Sequence, residues 1–255
     1  MNKYQKKHNR AIFYEAFLKT LPIMGSYLFV SMAYGLMMQN AGFGWGFSLL
    51  TSLSVYTGAF QFVLVTFLSS GASFVTIALT ALFMNSRQFF YGLTFLRDFR
   101  KMGWRYPYMI HTMTDETYAV NCTLLPENEE TESAEETKNR RRLMFWIAVL
   151  ARCSWMVGAV LGGVLGQLIP MELEGIDFSM TALFVTIFVD QWRSAKSHLP
   201  AVLGILVGAV LLLCMGPKYF LLPSLVLVSG LLLVFKNRIE ENADELNEEV
   251  VRNEQ

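Results

Sequence analysis

The chain is predicted to be an all-α polytopic membrane protein with about seven or eight transmembrane segments, on three observations. Apolar runs recur from Leu21 to Phe235, most of them near the ~20 residues that a helix needs to cross a ~30 Å hydrocarbon core. Hydrophobic residues make up 53% of the 255 positions and charged residues 16%, against about 25% charged in soluble domains. The charges are also segregated. A basic N-terminus (1–20) and an acidic tail (239–255) bracket a transmembrane domain over 21–238, with a charged central loop at 97–142.

Taken in order, Met1 to Lys19 carries Lys3, Lys6, Lys7 and Arg10 with Phe13, Tyr14 and Phe17, and reads as an interfacial helix leading in. No cleavable leader is expected, because the apolar run that follows is too long and lacks a cleavage site. Leu21 to Gln39 is the first span, with Pro22 tolerated in its first turn. Trp45 to Leu68 and Ser73 to Leu96 are the second and third apolar segments, separated by Ser69, Ser70, Gly71 and Ala72. Arg97, Arg100, Lys101 and Arg105 mark a water interface, with Trp104, Tyr106 and Tyr108 as belt aromatics.

Tyr106 to Leu125 is semi-polar, and reads either as a loop helix or as a shielded span. Glu127 to Glu136 is an acidic solvated loop, closed by Lys138 and Arg140 to Arg142. Leu143 to Ile169 is a clear span ended by Pro170. Phe178 to Trp192 is shorter, with Asp190 near its end beside Arg193, the setting of a surface ion pair. Leu199 to Met215 and Tyr219 to Phe235 form a final hairpin around Gly216.

Loops rich in Lys and Arg stay cytoplasmic, which places both termini, Arg193–Lys196 and Lys236–Arg238 inside. The first half conflicts with this rule. Three spans from a cytoplasmic N-terminus deliver Arg97–Arg105 outside, while Lys138–Arg142 must be inside. Either Tyr106–Leu125 crosses as an eighth segment, the reading we prefer, or one segment between Trp45 and Leu96 is re-entrant and broken near Gly58 or Gly71. Non-helical backbone at that depth requires a protein-lined or water-filled surrounding.

Function is expected where polar residues interrupt these runs: Gly58, Gln61, Asn85, Arg87, Asp115 and Glu116. An arginine at bilayer depth costs roughly 2.5–3.5 kcal/mol on insertion scales, so such residues usually face a cavity or a partner. A carrier of zwitterions needs a cation or a helix N-terminus for the carboxylate and acceptors for the ammonium group. Arg87, Asn85 and Gln61 could supply the first, and Asp115 or Glu116 the second, a coupling proton or an ion pair. The competing reading makes Arg87 a snorkelling side chain and Asp115 and Glu116 loop residues. Phe60, Phe62, Phe83, Phe89 and Phe90 are candidates to line an apolar pocket. Gly158, Gly162 and Gly166, like Gly204 and Gly208, have the small-xxx-small spacing of close helix packing, within the chain or against a small membrane subunit.

Other chemistry lacks signatures. Cys122, Cys153 and Cys214 are odd in number and scattered, which argues against disulfides or structural zinc. His111 to Glu116 does not match a zinc-hydrolase helix, and no nucleophile-elbow or phosphate-loop pattern occurs. No enzyme activity, metal, cofactor or nucleic-acid partner is expected, and energy must come from an ion gradient or another subunit.

At these residues the chain resembles the AzlC family. The resemblance rests on Pro22, Gly25, Gly35 and Gly42; on Gly58, Ala59, Gln61 and Phe62; on Asn85, Arg87, Tyr91 and Gly92; and on Thr114, Asp115 and Glu116, with Asp177, Phe178 and Ala182 to Phe184 later. It covers Thr20 to about Leu213. Phe29, Val30 and Ser31 stand where a Pro-Phe-Gly is expected, Gln88 replaces a histidine-like residue, and the central loop is longer than typical. The resemblance implies a multi-pass protein of the bacterial cell membrane that exports valine, leucine and isoleucine. It further implies the role of large subunit beside a small AzlD-type membrane partner.

Overall fold

A computed structural model describes residues 3–126, 132–168, 197–216 and 220–234, with a few isolated positions between 185 and 193. The described residues are helical, without strands. The helices are α1 (Lys3–Asn40), α2 (Trp45–Ser54), α3 (Gly58–Ser70), α4 (Phe74–Thr94), α5 (Leu96–Arg100), α6 (Tyr106–His111), α7 (Asp115–Cys122), α8 (Ala134–Leu168), α9 (Leu199–Met215) and α10 (Leu221–Val234). Pro170, most of the Phe178–Trp192 segment with Asp190, the glutamates at 127–131 and the tail from 235 lie outside the described residues. The chain forms two units, Met1–Ala72 with Met84–Leu173, and Ser73–Phe83 with Glu174–Gln255.

The first unit is built on α1 and α8. Both are long and apolar enough to cross a membrane, over His8–Asn40 and Ala134–Leu168. The expected interfacial lead-in and first span are one continuous helix, so Pro22 sits in its interior rather than its first turn. There its missing N–H removes one backbone bond, which the packing of the helix tolerates. α8 starts at a capping box, Ser133 Oγ accepting from Glu136 N (3.2 Å) and Glu136 Oε2 from Ser133 N (2.8 Å).

The two helices run parallel in register, from His8 with Asn139 (3.1 Å) to Gln39 with Gln167 (3.3 Å). Small residues let the backbones touch. A Cβ on Gly158 would overlap Ser31 and Leu28, one on Gly162 the Met32 carbonyl, and one on Gly35 the Ala159 carbonyl. The ridge Gly158, Gly162 and Gly166 is therefore consumed inside the chain by α1 and is not free for a second subunit, a correction to one of its two expected uses.

Between these helices the chain makes two hairpins. α2 starts against Gly163, runs antiparallel to α8 and stops at Ser54, where the Leu53 carbonyl meets Arg152. After Val55, Tyr56 and Thr57, α3 begins beside Trp155 and turns back, bringing Phe62 onto Tyr34. The break falls next to Gly58, one of the two sites expected. Gly71, at φ +65°, ends α3 in the left-handed conformation that suits glycine.

The second hairpin enters from the opposite end. Met109 of α6 packs with Met144 and Ala148, and α6 closes at His111. Thr114 then caps α7, which returns so that Val120 and Leu124 lie on Ile12, Ala16, Leu143 and Ile147. Tyr106–Leu125 is thus two short helices of 6 and 8 residues that double back. Neither can span ~30 Å at 1.5 Å per residue.

The end of the first unit where α1 and α8 begin is basic. Asp98 accepts from Arg140 (2.6 Å) and Arg141 (2.9 Å), Arg142 donates to Asn9 (3.1 Å), and the Arg105 guanidinium lies 4.3 Å from the Phe145 ring centre. Arg97–Arg105 therefore share an end with the N-terminus and with Arg140–Arg142, and the conflict read from the sequence disappears. In the second unit, α9 and α10 pack as the expected hairpin, with Gly216 at φ +74° after α9.

Candidate functional site

The turning points of the two hairpins meet at the middle of α1 and α8. A helix that stops leaves its last four carbonyls without intrahelical partners, and one that starts leaves four N–H groups. Gln61, fully buried, adds a side-chain donor at the end of α2, where Thr51 O already accepts from Val55 N (2.7 Å) and Val55 O from Thr57 N (3.0 Å). Its Nε2 donates to Val55 O (2.6 Å) and Thr51 O (3.2 Å), while its Oε1 accepts from Trp155 Nε1 (2.8 Å). Gly58 follows from the same packing, because a Cβ there would lie 2.8 Å from the Trp155 ring. The side chain of Thr57, at the N-cap, does not cap α3; its hydroxyl donates to Gln88 Oε1 at 3.4 Å. The first turn of α3 keeps its positive end open at that point.

A cavity of about 350 Å³ opens there, lined by Ser54, Val55, Tyr56, Thr57, Asn85, Gln88, Phe89, Ile110 and His111. Its size is at the lower end of the ~300–1,000 Å³ range of small-molecule sites. Asn85 Oδ1 is buried and has no hydrogen-bond partner among the described residues, an acceptor left over at the cavity wall. Tyr56, Val55, Phe89 and Ile110 supply apolar surface. Of the phenylalanines expected to line a pocket, Phe89 does so, whereas Phe60 and Phe62 are buried in helix packing.

The charged residues lie alongside. Arg87 Nη1 is 2.8 Å from Asp115 Oδ2, tying α4 to the start of α7. Tyr27 donates to Glu116 Oε2 (2.6 Å) and shares a 2.6 Å bond with Thr114 Oγ1, so α1 holds the same turning point. Tyr27 also stands edge-on to Trp155, with ring centres 5.2 Å apart. The six expected residues converge on one region, but differently. Asn85 faces the cavity, Gly58 and Gln61 build the break beside it, and Arg87, Asp115 and Glu116 fasten the second hairpin.

Arg152 escaped the sequence reading. It lies well inside α8, 8% exposed, donating to Leu53 O at 2.6 Å. The criterion that singled out Arg87, a charge deep in an apolar run, applies to it equally. Tyr27 and Trp155 carry no such signal, since aromatic residues in a span read as packing.

The family model described as AzlC protein matches residues 22–169, a stretch that holds both hairpins and every residue named at the site. A branched-chain amino acid transport protein, AzlC of Bacillus subtilis, is 31% identical over 94% of this chain and 92% of its own length. A membrane protein of Helicobacter pylori is 34% identical over 89% of this chain and 96% of its own. The inner membrane protein YgaZ of Escherichia coli is 29% identical over 85% and 86%. No solved structure matches. On the length of the family match and the identity across nearly the whole chain, this all-α membrane protein belongs to the AzlC family.

Proposed function

We propose that the chain is the large subunit of a secondary transporter that exports branched-chain amino acids across the bacterial cell membrane, driven by an ion gradient. The observation that carries this reading is the cavity at the broken α2–α3 segment, where an open helix start, an unpaired acceptor and an apolar wall adjoin. The start of α3 at Gly58 suits a substrate carboxylate, Asn85 Oδ1 suits the ammonium group, and Phe89 and Ile110 suit a branched side chain. Broken helices of this kind place carbonyl ends and N–H ends at one depth. In this reading Gln61 keeps the break open, and Arg87 with Asp115 orients the second hairpin. Glu116, hydrogen-bonded to Tyr27 and, among the described residues, to no cation, is the carboxylate we assign to proton coupling.

The same reading makes both hairpins re-entrant, one from each face, with both termini inside. α1, α4 and α8 cross and every basic segment of the first unit falls on the cytoplasmic side. The small AzlD-type subunit must then engage a surface other than the α1–α8 seam. Cells loaded with radiolabelled valine and leucine, expressing this chain alone and with such a partner, test the assignment. Efflux is expected with both subunits, and no efflux above empty cells would reject it.

A further inference from the structure

We propose that Arg152 is a positioning residue for transport, a latch that joins the two turning points and so sets the shape of the cavity; this rests on the cavity reading above. Among the described residues no carboxylate lies within ion-pairing distance of Arg152. A guanidinium is costly at such depth, and here its partners are backbone and rings. Its Nη2 donates to Leu53 O at 2.6 Å, one of the carbonyls that α2 leaves unsatisfied on stopping at Ser54. Gln61 reaches the Thr51 and Val55 carbonyls, and Arg152 adds a partner for the Leu53 carbonyl between them. A cation at a helix C-terminus also complements its dipole.

The same guanidinium lies 5.5 Å from the ring centre of Tyr56, in the break, and 5.4 Å from that of Tyr108, in α6. His111, at the end of α6, approaches the same Leu53 carbonyl through Nε2 at 3.4 Å. One side chain on α8 therefore holds α2, the break and the second hairpin together, and Tyr56, which it contacts, and His111, which shares the Leu53 carbonyl with it, line the cavity. Lysine cannot replace it fully. An ammonium group offers a point charge, whereas the planar fork both donates and stacks on rings.

The test uses the full chain without Cys122, Cys153 and Cys214, carrying Ser54→Cys at the cavity wall and co-expressed with its small membrane subunit. Two quantities are measured in membrane vesicles, the labelling rate by a charged methanethiosulfonate and the KM and Vmax of leucine transport. Arg152→Met is expected to label at least tenfold faster and to raise KM at least tenfold, with a smaller change in Vmax. Arg152→Lys is expected to fall between the two. Labelling of Arg152→Met at the Arg152 rate overturns the proposal. If Arg152→Met does not reach the membrane, Tyr108→Leu removes one face of the ring sandwich; labelling about threefold faster supports the latch and an unchanged rate overturns it. Failure of leucine transport in the Arg152 protein would reject the transport reading alone, because the labelling comparison needs no substrate.

Discussion

At the scale of single residues, the middle of the first unit is a set of polar groups whose partners are other parts of the same chain. Gln61 is the clearest case. Gln61→Leu keeps the volume but strips the buried Trp155 N–H of its acceptor and leaves the Val55 carbonyl only its 3.0 Å bond from Thr57 N. A buried donor left unpaired costs about 1–3 kcal/mol, so the purified variant should unfold at a clearly lower temperature, and an unchanged melting curve would remove Gln61 from the break. Arg87 and Asp115 make a different prediction because each is the other's partner at 2.8 Å. Arg87→Ala and Asp115→Ala should each lower membrane abundance, while the double variant recovers part of that loss. Losses that simply add would show the pair to be uncoupled.

At the scale of elements, the residue pattern foretold the long helices well and the hairpins poorly. Runs of apolar residues announce α1 and α8, and the glycines at 71 and 216 announce the ends of α3 and α9. The break before Gly58 was legible as one of two sites because a glycine there accompanies a glutamine inside an apolar run. What could not be read was that Tyr106–Leu125 doubles back. Its two halves pack on the same stretch of α8, around Leu143 to Ala148, and a semi-polar sequence of that length fits a loop or a shielded span equally well. Nor does glycine spacing reveal which helix a ridge will meet. The α1–α8 seam can be tested by substitution. Gly162→Val pushes against the Met32 backbone and should sharply reduce membrane abundance, whereas Gly204→Val, with nothing within 4 Å among the described residues, should leave it unchanged in the isolated chain.

At the scale of the whole molecule, charge placement ties the fold to its surroundings. Asp98, Glu132, Arg140 and Arg141 cluster at the basic end of the first unit. Burial pushes the Asp98 carboxyl up, but hydrogen bonds from Arg140 and Arg141 outweigh this and hold it below its ordinary value. Glu132 is held low chiefly by its hydrogen bond from Arg140. Groups depressed in the folded state stabilise it fully above the ordinary carboxylate pKa of about 4, and that contribution is lost as pH falls through their folded values. Thermal stability should therefore drop below about pH 4 more steeply in the unsubstituted protein than in Arg140→Met, which starts lower. Parallel pH profiles for the two proteins would contradict the cluster's role.

The topology follows from the same placement, and a cysteine at Gly103 should react with an impermeant reagent from the same side as one at Asn139. The central claim, that the break before α3 forms a site for the carboxylate of an aliphatic amino acid, is tested most directly by binding to the purified complex with its small subunit. Radiolabelled leucine should bind and be displaced by valine and isoleucine. Leucinamide, which keeps the side chain and the ammonium group but lacks the carboxylate, should fail to displace it, and Asn85→Leu should weaken leucine at least tenfold. Leucinamide competing as well as leucine would contradict the claim.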